Sequence, residues 1–283
     1  MKSKIAALCT LLALIYTSMG NAVVAEVNTT QQGAPFYSNW TFWQWIVSLT
    51  ALVFSLAPYV IKLIKGPHIL LHVMNKISIQ HTLGNPNIKL FLNIQNNGGR
   101  PVRIREITLE ICKDEKTFTI PAQSYYPDVS DNKMAVLAPF RLLPENDWSH
   151  TVYFYPDFSR DEDIAFRTLA GNIRTNILEK IPPNTSTPPN GDHTFVAADA
   201  VILQPAIDFF TQHFMWNTGE YTGTVTIITE PSKAKTSYKF RFNLYETESN
   251  ELRGYAKDYK YGLGVCYFNA DKHPGLSVTT SKS

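Results

Sequence analysis

Apolar residues along this chain follow three spacings, and each predicts a different element. From Trp40 to Ile61, 22 residues pass without a charge. A helix rising 1.5 Å per residue needs about 20 such residues to cross a bilayer core of about 30 Å, so the pattern predicts a transmembrane helix over 40–65. Trp40, Trp43 and Trp45 stand at one end of it, and Tyr59, Lys62 and Lys65 at the other. Aromatic rings and lysines collect at membrane interfaces, which makes these six the expected membrane-anchor residues. Pro58 falls in the last turns, where spans tolerate a missing hydrogen bond, and Gly66 and Pro67 stop the helix.

After that stop the spacing changes to two. Ile69, Leu71, Val73, Ile77 and Ile79 alternate with polar residues, as do Ile88, Leu90, Leu92 and Ile94, so both stretches read as strands with one face buried. The segment NNGGRP (96–101) supplies turn residues able to take positive φ, and Val102 and Ile104 resume the alternation. The phase then slips by one, since Ile107, Leu109 and Ile111 are odd-numbered. One extra residue at Arg105 or Glu106, a β-bulge, returns these side chains to the same face. A KDEK turn (113–116) leads to Phe118 and Ile120, and His150, Val152 and Phe154 form a further strand.

A third spacing, that of the helix, begins at SRDED (159–163). The Ser-x-x-Glu pattern is a capping box, and Phe166, Leu169, Ile173, Ile177 and Ile181 recur every three to four residues, so an amphipathic helix is expected over 160–181. The proline-rich stretch 182–193 reads as an exposed linker. Residues 199–216 fit either a helix begun at Pro205 or a buried irregular strand. Tyr221, Val225 and Ile227 face Tyr238, Phe240, Phe242 and Leu244 across EPSKAK, a hairpin. Ser249 is placed to cap a short helix through Tyr259, and the tail 271–283 reads as disordered.

Residues 1–25 have a basic start, an apolar middle and small residues near Ala22 and Ala25. They fit a cleaved signal peptide or an uncleaved first membrane segment. Residues 26–39, the short extracytoplasmic loop of either reading, carry no Lys or Arg, whereas Lys62 and Lys65 follow the span. Positive charge stays on the cytoplasmic side, so both readings place residues 66–283 in the cytoplasm. Lys2, Lys4, Lys62 and Lys65 against Glu26 give residues 1–65 a charge of +3, and the remaining 22 basic and 23 acidic residues leave the rest at −1. That part shows no basic excess, so no nucleic-acid partner is expected. Cys9, Cys112 and Cys266 form neither a CxxC nor a Cys/His metal spacing, which fits a reducing compartment.

Candidate chemistry is sparse. His68 and His72 lie four apart but on a strand pattern, without a third ligand in sequence reach. The acids 161–163 are accounted for by helix capping, and Asp192 with His193, or Asp208 with His213, lack any nucleophile elbow. No phosphate or dinucleotide loop is present. Asn28, Asn39 and Asn184 begin glycan-type triplets. The sequence nominates no catalytic, cofactor or metal residue, and no enzyme activity is expected.

The segments IQNNGGRPVRIREITLEI (94–111) and MWNTGEYTGTVTI (215–227) resemble strand-turn-strand pieces of bacterial Ig-like β-sandwiches, the second through Trp216, Gly219 and Tyr221. The resemblance implies a fold and no active-site residues. The expected architecture is mainly β: an Ig-like β-sandwich over 66–270 with a central amphipathic helix insertion at 160–181, preceded by the transmembrane helix. The expected function is a single-span membrane protein presenting a cytoplasmic β-sandwich for protein–protein interaction or assembly, with the lipid bilayer and a protein as partners. The alternative is a membrane-bound ligand sensor or enzyme with a site at 160–216.

Overall fold

The structure, a computed structural model, describes residues 40–128, 133–181, 196–268 and 273–282. The chain divides into two compact units, Met1–Val60 and Ile61–Ser283. The expected signal segment 1–25, the loop 26–39, the linker 182–193 and all of the glycan-type triplets except Trp40 and Thr41 lie outside the described residues.

Helix α1 (Trp40–Ile64) contains Pro58, and Thr50 Oγ donates to Ile46 O at 2.7 Å, one turn back. Its 21-residue stretch Trp40–Val60 is long and apolar enough to cross a membrane, and none of it is buried within the protein.

The second unit is mainly β. Its strands are β1 (Ile69–Thr82), β2 (Asn85–Asn96), β3 (Val102–Lys113), β4 (Lys116–Tyr126), β5 (Ala135–Val136), β6 (Phe140–Leu142), β7 (Asp147–Phe154), β8 (Gly219–Glu230), β9 (Thr236–Leu244), β10 (Leu276–Thr279) and β11 (Ser281–Lys282). They pair antiparallel in the order β10-β1-β2-β7-β4-β3-β8-β9-β11, with β5 on β4 and β6 on β3. The sheet curls into a nearly barrel-shaped layer because two segments change neighbours. The first half of β4 pairs with β3, and its second half, beyond a register shift between Ala122 and Ser124, pairs with β7. At the other end the chain spends β10 on β1 and β11 on β9, so one short segment covers both edges. The expected disordered tail is therefore corrected: Val278 is buried, and Thr280 donates its N–H to Asn75 O at 2.9 Å where β1 loops out of register.

The period-two residues fill this layer, Ile79, Ile88, Leu92, Leu109 and Val225 each at 0 % exposure. The β3 bulge is present. Ile104 pairs with Thr229 and Glu106 with Ile228, leaving Arg105 as the extra residue, and Ile104 and Ile107 are both buried. The NNGGRP turn works differently from the expectation, because neither Gly98 nor Gly99 has positive φ. A Cβ on Gly98 would lie 2.5 Å from Gly66 O, so close approach of backbone requires the glycine. Asn96, fully buried, organises the turn by donating from Nδ2 to Arg100 O and Leu142 O and accepting from Gly98 N.

Three helices follow: α2 (Arg160–Glu179), α3 (Ala200–His213) and α4 (Glu246–Gly254), the last continued by a 3-10 turn, Tyr255–Tyr261. Ser159 and Glu162 close the capping box on α2, with Ser159 N donating to Glu162 Oε2 at 2.8 Å. Of the two readings of 199–216, the helix is correct but starts earlier than Pro205, at Ala200. Lys180 Nζ and Asn176 Nδ2 both donate to the Asp199 carboxylate at its N-terminus. Ser249 lies inside α4 rather than at its start, and donates to Trp216 O at 2.7 Å.

Helices α2 and α3 enclose a second core with Ile173, Ile177, Phe209, Phe210 and the tip of the β1–β2 hairpin. That tip is a two-residue turn, Leu83 (φ 47°) and Gly84 (φ 87°). Leucine is disfavoured at positive φ, and here its fully buried side chain in the helical core offsets the strain. A Cβ on Gly84 would stand 2.7 Å from Phe210 O, so only glycine lets the hairpin enter.

Candidate functional site

The six expected anchor residues all belong to α1 or the residue after it. Trp40, Trp43, Trp45 and Tyr59 are between 51 and 73 % exposed, and Lys65 is exposed. The other singled-out residues are dispersed. Glu162 accepts from His213 Nε2 at 3.0 Å as well as from Ser159, and these hydrogen bonds pull its carboxyl down to about 2. Asp163 pairs with Arg167, and Asp208 accepts from Gln204 rather than meeting His213. No group of three His, Cys, Asp or Glu among the described residues could hold a metal. The groove that touches 160–216, about 290 Å³, is lined by Lys113, Phe118, Gln212, Met215 and Tyr221, and Lys113 Nζ is already committed to Asn217 O and Thr218 O.

A different place gathers the chemistry. The last residues of β1, the end of α3, the end of α4 and the segment at His273 converge on His81. Its ring lies 5.4 Å from Phe210, 5.5 Å from Phe214 and 5.6 Å from Tyr255. Leu252 O sits 2.8 Å from Nε2, and Gly84 N–H donates to Nδ1 at 3.2 Å, so the neutral ring protonated on Nε2 satisfies both partners. Burial among the rings holds its pKa down at about 4, with the nearby His273 acting in the same direction. His81 is a neutral joint between the two cores.

Beside it opens a recess of about 380 Å³ on the outer face of the sheet. The register that sends Ile88 and Phe154 inward sends Lys89 and its partner Tyr153 outward. Lys89 Nζ lies 5.5 Å from the ring centres of both Tyr126 and Tyr153. Burial, then the neighbouring phenols of Tyr126 and Tyr155, pushes Tyr153 up to about 12. On the opposite wall His273 stacks on Tyr255 at 4.4 Å and points Nε2 at Asp258, 3.2 Å away. Gln80 Nε2 and Tyr255 OH fix that wall by donating to His273 O and Pro274 O. Thr82, Asn87, Gly264, Met134 and Phe268 complete the described lining. Lys89 and Tyr153 were not singled out in the sequence, where they are ordinary outward positions of alternating strands; their meeting depends on the β2–β7 pairing across some sixty residues.

Trp216 and Tyr221 are fully buried with ring centres 5.7 Å apart, and Tyr221 stacks on Phe242. Among known proteins, no family model matches this chain and no curated protein matches it.

Proposed function

We propose that this is a single-span membrane protein that presents its β-domain, on the cytoplasmic side, to a protein partner. The observation that carries the reading is α1, whose uncharged, predominantly apolar 21-residue stretch Trp40–Val60 has no cover within the protein. Leaving that much apolar surface in water is strongly unfavourable, and a bilayer is the environment that removes it. Residues 26–39 without Lys or Arg before the span, against Lys62 and Lys65 after it, support the cytoplasmic orientation. For the domain we retain an Ig-like sandwich with a helical insertion: two antiparallel faces share β4 at one edge, and α2 and α3 stand on the hairpin tip between strands. A rigid sheet carrying helices and loops is a common platform for binding.

The test uses the full chain in its native membrane. A reporter fused after Ser283 is expected to be active in the cytoplasm and silent outside; the reverse would overturn the orientation. A photo-crosslinking residue at Val136 or Val201, 82 and 83 % exposed, is expected to give a discrete adduct of higher mass. Recovery of uncrosslinked chain alone from both positions would count against a protein partner on these faces.

A further inference from the structure

We propose that the recess beside His81 binds a small planar organic anion of the aromatic carboxylate class, with its charge on Lys89 and its ring among Tyr126, Tyr153 and Phe268. Charge gives the sign of the ligand. Of the described lining residues none is Asp or Glu, and Lys89 is the one with a permanent charge. His81 has both ring nitrogens committed to backbone, and His273 is paired with Asp258. Lys89 makes no hydrogen bond or ion pair within the described residues; its neighbours are two ring faces. Aromatic faces hold an ammonium in place but use none of its three N–H donors and supply no counter-charge. A cation fixed in this way, with no carboxylate among the described lining residues, is preorganised for an anion.

Shape and polarity give the class. A volume of about 380 Å³ matches small-ligand cavities, which run from about 300 to 1,000 Å³. Rings of Tyr126, Tyr153, Tyr255 and Phe268 make up much of its lining beside the polar Gln80, Thr82 and Asn87, and Met134 and Phe268 are 52 and 69 % exposed, more apolar surface than a bare inorganic anion would use. Met134 is held there, Sδ accepting from Ser124 Oγ at 3.6 Å. The Tyr126 and Tyr153 hydroxyls have no hydrogen-bond partner within the described residues, so they can donate to the second carboxylate oxygen. The proposal concerns only the unit Ile61–Ser283 and does not depend on the membrane reading.

The test is calorimetric titration of the full chain in detergent with benzoate, phenylacetate and phenyl phosphate, and with benzamide as the uncharged control. Benzoate or phenylacetate is expected to bind saturably at one site, with benzamide about tenfold weaker or more, as for loss of a charge-assisted contact. Lys89→Met is expected to weaken that anion by about tenfold or more, while Lys89→Arg retains it. No saturable binding by either carboxylate, or binding by phenyl phosphate alone, would overturn the proposal, as would equal binding of benzamide or undiminished binding by Lys89→Met. Should Lys89→Met unfold, the comparison of anion with benzamide on the unaltered chain decides the question alone.

Discussion

His81 shows how one side chain couples local chemistry to stability. Its folded pKa of about 4 lies below the ordinary value of 6.5, so the folded state binds its proton less readily than the unfolded chain. The sign follows: the stabilisation is complete above pH 6.5 and is lost as pH falls from there to about 4, with a ceiling of about 3 kcal/mol. Glu162, pulled to about 2, acts in a lower window; its contribution is present above the usual glutamate value and is lost as pH falls towards 2. We expect the melting temperature of the unaltered protein to decline between pH 6.5 and 4, and His81→Gln to flatten that decline while lowering the value at neutral pH. Parallel curves for the two proteins would show that His81 does not titrate in this window. None of this was legible in the sequence, where His81 is one polar residue in an alternating strand; its ring partners come from 129 to 174 residues further along the chain.

Individual elements were more legible, because they depend on neighbours in sequence. The parity slip between Ile104 and Ile107 located the β3 bulge, and the Ser159–Glu162 pattern located the start of α2, since bulges and caps leave their signals within four residues. Residues 199–216 resisted because Pro205 suggested a first turn, whereas α3 starts five residues before it, with Asp199 held by α2. Two comparisons test these elements. Arg105→Ala is expected to shift stability by no more than about 0.5 kcal/mol, because Arg105 is the exposed extra residue, whereas Ile107→Asp places a charge in the core and is expected to cost several times more. Equal melting temperatures for these two variants would overturn the assignment of the inner face. At the hairpin tip, Gly84→Ala must adopt φ 87° and meet Phe210 O at 2.7 Å, so it is expected to cost about 1 to 3 kcal/mol and loosen the helical core first. Hydrogen exchange checks it: amides of α2 and α3 should lose protection before those of β2 and β7.

For the whole molecule the decisive feature is closure, and it was the least legible. The tail LSVTTSK is short and mostly polar, yet Leu276, Val278 and Thr280 alternate inward when β1 and β9 stand on either side. The pairing Ile77↔Val278 joins residues 201 apart, so no local pattern could announce it. An open sheet edge is a template for association, and this segment covers two edges at once. Val278 is 5 % exposed while Ser277 faces solvent, which separates the strand from its surface. Val278→Asp buries a charge and is expected to release β10 and β11 together, lowering the melting temperature and shifting the purified chain towards larger species in size-exclusion chromatography. Ser277→Asp, one residue away with the same added charge, is expected to leave both measurements close to those of the unaltered protein. If the two variants behaved alike, closure by the C-terminal strands would not be what keeps the sheet folded and single.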